Sequence, residues 1–513
     1  MIRKIRLVSG FFTVGIWTLL SKLLGFARDI MIAGTLGSGP MAQAFLIAFS
    51  LPNMFRRFFA EGAFNTAFVP MFAKKVEAGD NPEDFAREAF SGLASVVLAT
   101  VLLAQVFMPF LVLAMASGFA DDARFALTVS YGRIVFPYIL FISLAALLSG
   151  VLNATGRFAA AAAAPVLLNV ILISTMFLAE VRGWEVGMAL SWAVPLAGIA
   201  QMALVWVAAR RVGITLLPRM PRFTPEMKRL AIIALPAALA GGVVQVNLLV
   251  GRQIASQFDG AVAWISYADR LYQLPLGVVG IAIGIVLLPD LSRRLRAGDD
   301  AGGNYSINRA AEFSLALTLP SAVALIVIPF ELVSVLFERG AFSAADTGAT
   351  AWAVVIYGAG LPSFMLAKVL APVFFAREDT KTPFRYALVS MVVNATLAIG
   401  LAPFIGYLAA PIGTSVAAWG MLLMLWLGSR KLGTAAKMDS RLLAKAPRLL
   451  LASLLMGLAL WGAAQALAPW LFVPGLRYGA LALLVAIGAG VYGALVVLTG
   501  AMRLSDLKTL LRR

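Results

Sequence analysis

Eight basic side chains sit inside long apolar stretches of this 513-residue chain: Lys22, Arg28, Arg56, Arg57, Arg133, Arg252, Arg270 and Lys368. At a lipid-facing helix centre each would cost about 2.5–3.5 kcal/mol, so each needs a partner, a wet cavity or a route to an interface. The acids in the same stretches are fewer: Asp29, Glu61, Asp269, Asp290 and Glu331. The remaining positive charge calls for an anion, and arginine suits phosphate because its planar fork donates two parallel hydrogen bonds. Lys22 and Asp29 lie seven residues apart on one helix face, with Gly25 and Arg28 close to it. Gly25 offers backbone freedom or a close approach for a ligand. Arg57 and Glu61 are spaced to pair at i and i+4, which leaves Arg56 freer, and Asp269 adjoins Arg270. Arg28, Arg56 and Arg270 read best as ligand-binding bases. For Arg57, Arg133 and Lys368, local pairing or snorkelling is an equally good account.

The elements that must position these groups are membrane helices. The chain is 61% hydrophobic and only 13% charged, about half the charged fraction of a soluble domain. Runs of about 20 apolar residues recur from end to end, enough to cross a hydrocarbon core of ~30 Å. Within such runs a helix satisfies every backbone group internally. Fourteen runs can be drawn, at 8–37, 42–72, 88–117, 125–153, 159–180, 185–209, 229–257, 262–291, 310–337, 344–374, 383–403, 407–429, 448–467 and 478–500. The first two carry charges and are long for simple spans, so kinks or partly exposed segments are expected there.

Placing the N-terminus in the cytoplasm and alternating the loops puts about thirty of the 42 Lys and Arg residues on the cytoplasmic side. Only Arg124, Arg182, Arg339 and Arg477 fall opposite. That asymmetry fixes the expected topology, with both termini cytoplasmic. It also accounts for the net charge of +17 without a nucleic-acid partner. The basic segment Met1 to Arg6 leads into an apolar run with no small-residue cleavage site after it, and is read as part of a retained first helix. The stretch 211–228 is amphipathic and basic, and could lie on the cytoplasmic surface.

The chain has no cysteine and no histidine, which removes disulfides, thiolate metal sites, thiol nucleophiles and the usual proton shuttle. A membrane glycosyltransferase or polymerase would need carboxylates for acid–base or metal chemistry. Here Asp29, Glu61 and Asp269 each lie beside or one turn from an arginine and read as its partners. An organic-cation antiporter would carry unpaired acids in its cavity, whereas this set is net basic. The chain is therefore expected to be no enzyme and to use no cofactor.

An internal repeat suggests how the bases are brought together. The second run, LPNMFRRFFAEGAFNTAFVPMFAKK from Leu51, and the eighth, LPLGVVGIAIGIVLLPDLSRR from Leu274, both open with Leu-Pro. Both reach a second proline, Pro70 and Pro289, and end in paired bases. Arg28 in run 1 has a counterpart in Arg252 of run 7. Proline-interrupted helices in corresponding positions point to a transporter of two lobes around a central site. The expected fold class is an all-α polytopic membrane protein with 14 transmembrane helices, two pseudo-symmetric six-helix lobes plus two C-terminal helices. The expected domains are an N-lobe at 1–210, a cytoplasmic linker at 211–228, a C-lobe at 229–431, and a helix pair and tail at 432–513.

The segments SKLLGFARDIMIA (from Ser21), LPNMFRRFFAEGAFNTAFVPMFA (from Leu51) and YADRLYQLPLGVVGIAIGIVLLPDLS (from Tyr267) resemble signatures of the MurJ (MviN) lipid II flippases. GVLNATGRF (from Gly150) and FAREDTKTP (from Phe375) agree, so the resemblance spans essentially the whole chain. That family belongs to the multidrug/oligosaccharidyl-lipid/polysaccharide exporter superfamily. It moves the undecaprenyl-diphosphate-linked peptidoglycan precursor from the inner to the outer leaflet of the bacterial inner membrane.

The resemblance implies Lys22, Arg28, Arg56 and Arg270 as the diphosphate-facing set, with Asp29, Asn53, Arg57, Glu61 and Asp269 supporting it or lining the lateral portal. It further implies that runs 13 and 14 form a groove for the lipid tail. The partners implied are lipid II, the bilayer and other cell-wall synthesis proteins. The implied mechanism is alternating access around a cavity between runs 1, 2, 7 and 8, with a flippase for another polyprenyl-diphosphate-linked glycan as the alternative. Three departures stand out. Lys22 replaces an arginine common in the family, Gln43 replaces an aspartate, and runs 7 and 11 offer only Gln245, Asn247 and Asn394 where some members carry an acid-containing sodium site.

Overall fold

The computed structural model describes residues 2–57, 59, 63–222, 224–433 and 437–501, with side chains excepted at 2–12, 63–66, 236–244, 278–289, 295 and 296. Seventeen α-helices account for nearly all of it. In the first part these are α1 (Ile2–Leu36), α2 (Pro40–Arg56), α3 (Ala63–Ala78), α4 (Pro82–Ala116), α5 (Ala123–Val135), α6 (Tyr138–Ala154), α7 (Ala159–Arg182), α8 (Val186–Arg210) and α9 (Pro225–Ser256). There follow α10 (Ala261–Arg296), α11 (Asp300–Val327), α12 (Pro329–Phe337), α13 (Ala344–Phe375), α14 (Lys381–Ile405), α15 (Ala409–Ser429), α16 (Ser440–Leu471) and α17 (Arg477–Leu498). Among the described residues, nine helical stretches are long and apolar enough to cross a membrane. The protein is an all-α, multi-pass membrane protein.

The helices correspond in order to the fourteen apolar runs. Run 4 is broken into α5 and α6 and run 9 into α11 and α12, while run 2 contains α2 and α3. Proline explains both of these breaks, Pro137 by bringing no N–H although Phe136 before it stays helical, and Pro329 by disfavouring helical geometry in the residue before it. Pro137 precedes α6, and Pro329 opens α12 after Ile328 leaves helical geometry at φ −122°, ψ 42°.

Prolines inside unbroken helices leave carbonyls without their usual donor four residues on, and side chains take over. Pro109 bends α4, with Phe107 at φ −93°, ψ 15°, and frees the Gln105 carbonyl. Arg133 Nε donates to that carbonyl at 3.2 Å. The Arg133 carbonyl is freed in turn by Pro137, and Gln105 Nε2 donates to it at 2.9 Å. Pro320 likewise frees the Ala316 carbonyl of α11, which accepts from the Tyr492 hydroxyl of α17 at 2.6 Å. An unsatisfied carbonyl in apolar surroundings is expensive, and these bonds offset the cost that the sequence's own prolines create.

Contacts divide the chain into two compact units: residues 1–263 with 340–342, and residues 264–339 with 343–513. In the first unit α1 packs on α7, α7 and α6 on α8, and α2 on α5. A core of Phe45, Tyr131, Tyr138, Leu172 and Leu190 lies between them. Helix α9 packs against α3 and α4, and its end is tied to the turn after α4. Gln253 accepts there from the Ser117 backbone N–H (2.9 Å) and donates to the Leu113 carbonyl (2.7 Å). A Cβ on Gly118 would stand 2.3 Å from the Ser256 carbonyl oxygen, so only glycine fits that crossing.

The segment joining α8 to α9 is extended rather than helical and is pinned along α4. The Arg219 backbone N–H donates to Ser91 Oγ (2.9 Å), and its guanidinium reaches Asp84 and Glu88 (both 3.3 Å). Thr224 Oγ1 donates to Glu88 Oε2 at 2.8 Å, and the Arg87 guanidinium donates to the Thr215 carbonyl at 3.2 Å.

In the second unit α13 and α14 pack on α15, and α11 on α13. The pair α16–α17 sits on α11 and α12 through Ile328, Met456, Leu460, Leu467 and Leu484. Buried Glu312 of α11 accepts from Arg309, Arg441 and Lys445, fastening the start of α16, while Asp439 caps α16 through Leu442 N–H at 2.7 Å.

Candidate functional site

Arg28 is the charge that the first unit builds most deliberately. It lies on α1 with 7% of its surface exposed, beside Asp29 at 6%. Its Nε and Nη2 both donate to Asp29 Oδ1, at 3.0 and 2.7 Å. Its Nη1 donates to Asn169 Oδ1 of α7 at 2.9 Å, and its guanidinium carbon lies 5.7 Å from the Phe49 ring centroid. Asn169 is itself buried, and its Nδ2 donates to the Ser21 carbonyl about two turns earlier on α1, at 2.9 Å. The amide therefore fixes α1 against α7 and sets the rotation of the guanidinium. A buried ion pair needs such extra hydrogen bonds to offset its desolvation. A methyl on Gly25 would meet Asn169 at an ordinary 3.6 Å, so packing alone does not demand glycine there.

The other expected residues of this unit fall on α1 and α2. Lys22 is exposed and makes no hydrogen bond or ion pair with a described residue. Asn53 turns inward along its own helix, donating from Nδ2 to the Phe49 carbonyl at 2.8 Å. Arg56 ends α2 half-buried, and Arg57, at its C-cap, is exposed. Glu61 lies outside the described residues, so its expected pairing with Arg57 does too. Asp29 balances Arg28, while Lys22, Arg56 and Arg57 add positive formal charge further along the same two helices.

Asp269 and Arg270 stand half-buried on α10 in the second unit, where Asp269 accepts from Gln273 Nε2 one turn on. The next residue but one, Tyr272, stacks on Tyr357 and Phe364 of α13 at 4.7 and 5.6 Å between ring centroids. This aromatic stack fixes the rotation of α10 and so turns Arg270, about 200° round the helix, away from α13.

Three features escaped the sequence reading. Asn169 carried a signal, a lone amide within an apolar run, that went unused. Arg133, left open between ligand binding and local pairing, donates to the carbonyl freed by Pro109. Arg124 was assigned only to a loop. It is buried against Phe119, and its Nη1 donates at 3.0 Å to Oε1 of Gln43, whose Nε2 donates to Asp259 at 3.0 Å. Gln43 thus works as an uncharged bridge between Arg124 and Asp259, a double role that a carboxylate without an N–H could not play. Among the described residues no cluster of acids has the makings of a metal site.

An all-helical, multi-pass chain with a buried, pre-oriented arginine in its helix bundle belongs to a class seen in membrane transporters. The same fold occurs in an inward-facing multidrug resistance MATE family transporter of the MOP superfamily, with a TM-score of 0.69 at 14% identity over 82% of this chain and 96% of that one. It matches a lipid II flippase MurJ in an inward closed conformation more fully, with a TM-score of 0.80 at 24% identity over 94% of this chain and 98% of that one. The family model described as Lipid II flippase MurJ matches residues 32–479. A "Probable lipid II flippase MurJ" of Rhizobium meliloti (strain 1021) is 46% identical over 510 residues, covering 95% of this chain and 94% of its own length. The chain belongs to the MurJ lipid II flippase family.

Proposed function

We propose that the protein carries lipid II, the undecaprenyl-diphosphate-linked peptidoglycan precursor, from the cytoplasmic to the periplasmic leaflet of the bacterial inner membrane by alternating access. The observation that carries this reading is Arg28, held by Asp29 and Asn169 on a membrane helix of a MurJ-family chain. A guanidinium whose rotamer is already fixed loses little freedom on meeting a diphosphate. Lys22, Arg56 and Arg57 supply further positive charge on the same helices, Lys22 as a point charge without the bidentate fork. We assign substrate contact to Arg270 on the same chemistry, with Asp269 supporting it. Both termini lie in the cytoplasm in this reading, which follows the excess of bases in the corresponding loops. The partners are lipid II and, at the periplasmic side, enzymes that consume it.

Each positive charge that returns inward after release gains up to ~2.3 kcal/mol per 100 mV of interior-negative potential, if it crosses the whole field. The distribution of lipid II between leaflets, in bacteria depleted of their own flippase and expressing this chain, tests the substrate. Outer-leaflet lipid II should return. If it stays inside while another polyprenyl-diphosphate-linked glycan crosses, the substrate is that glycan instead.

A further inference from the structure

Of the four bases on the base-poor face, Arg124 pairs with Asp122 and Arg182 is exposed. The remaining two, Arg339 and Arg477, converge. Arg339 follows α12, Arg477 opens α17, and their guanidinium carbons lie 5.6 and 5.1 Å from the centroid of the same Tyr478 ring. Local structure uses part of each. Arg339 Nη2 donates to the Val335 (3.2 Å) and Leu336 carbonyls at the end of α12, and Arg477 Nη1 donates to the Glu338 carbonyl at 2.9 Å.

What local structure leaves over is charge. No carboxylate among the described residues pairs with either arginine; the Glu338 carboxylate instead accepts from Thr347 Oγ1 at 2.8 Å. The Nε donors of both arginines are buried with no acceptor. Helix α17 adds the positive end of its dipole at Arg477, with no acid in its first turn and no side-chain cap. Burial, and to a smaller degree the Arg477 charge, push the Arg339 guanidinium below its ordinary range. Two like charges held together with orphaned donors are costly in an empty site and favourable around an anion.

We infer that Arg339, Arg477 and Tyr478 form a binding site for a lipid-borne phosphate at the membrane surface on the base-poor side, at the end of the α16–α17 pair. The ring of Tyr478 is 46% exposed, so the anion reaches the guanidinium edges from outside. A lipid is favoured over a soluble anion because α16, α17 and the turn between them present exposed Trp470, Phe472, Leu476 and Leu483, an apolar surface for acyl or prenyl chains.

Native mass spectrometry of the detergent-purified full chain tests this by counting bound copies of dioctanoyl phosphatidylglycerol, farnesyl diphosphate and inorganic phosphate. The double variant Arg339→Gln/Arg477→Gln should lose one bound copy of at least one lipid probe, with apparent affinity down at least tenfold. Wild type, Arg339→Lys/Arg477→Lys and Arg182→Gln should keep it. Loss of both lipid probes assigns the site to lipid phosphates in general, and loss of farnesyl diphosphate alone to prenyl diphosphates. Arg477→Gln alone serves if the double variant does not fold. Undiminished lipid binding, an equal loss in Arg182→Gln, or a loss confined to inorganic phosphate would overturn the assignment.

Discussion

At the scale of single residues, an amide decides how an arginine points. Arg28 has five donors in a rigid fork; Asp29 accepts two of them and Asn169 a third. Replacing Asn169 with leucine keeps the volume and removes the acceptor, leaving a charged donor unmet, a loss of about 1.5–3 kcal/mol. If that orientation serves binding, Asn169→Leu should raise the KM for lipid II several-fold in reconstituted transport, with kcat less affected. An unchanged KM would reduce Asn169 to a packing residue. The reading of Arg28 and Asp29 as partners was legible, because adjacency and the excess of bases predicted it. Asn169 was not legible as a partner of Arg28, since 141 residues separate them and only the packing of α1 on α7 brings them together.

At the scale of helices, prolines explain both the breaks and some of the polar residues. Arg133 looked like a candidate ligand because a charge in an apolar run is expensive. The structure gives it a different task, covering the carbonyl that Pro109 strands. Arg133→Met should lower stability by about 0.5–1.5 kcal/mol, the usual net worth of one hydrogen bond. Transport per folded molecule should stay near wild type. Adding Pro109→Ala restores the helix's own donor, so the double variant should recover part of the lost stability in thermal melts; no recovery would contradict the account.

The turn before α5 offers a test in pH. Hydrogen bonding from the Arg124 side chain, then from its backbone N–H, holds the Asp122 carboxyl below its ordinary value of 3.8. A depressed folded-state pKa contributes stability that is present above the unfolded value and lost as pH falls through the folded one. Wild-type Tm should therefore drop more steeply than that of Asp122→Asn as pH is lowered from about 5 towards 3. Parallel curves would remove Asp122 from the turn's stability.

At the scale of the molecule, hydropathy and charge were the strongest signals. Among the described residues every apolar run is mainly helical, because a run of that length has no other way to satisfy its backbone in lipid. The breaks within runs 4 and 9 were missed because a proline in a membrane helix is compatible with a bend as well as a break, and neighbours decide which. The segment 211–228 was legible as basic and amphipathic but its partners were not: Asp84, Glu88 and Ser91 of α4 bind the Arg219 side chain and backbone.

The natural lack of cysteine makes topology directly measurable by single-cysteine labelling. A cysteine at Met220, which is 87% exposed, should react only with reagent admitted to the cytoplasm. One at Gly475 should react from outside the cell. The reverse pattern would invert the orientation and move the Arg339–Arg477 pair to the inner leaflet.

The central claim is that a pre-oriented arginine on α1 grips the diphosphate of a flipped lipid. Its most direct test is the rate of lipid II translocation in proteoliposomes containing wild type, Arg28→Ala, Arg28→Lys or Arg133→Met at matched amounts of folded protein. Arg28→Ala should abolish translocation, Arg28→Lys should retain a fraction of it, and Arg133→Met should stay close to wild type. Translocation by Arg28→Ala at the wild-type rate would contradict the claim.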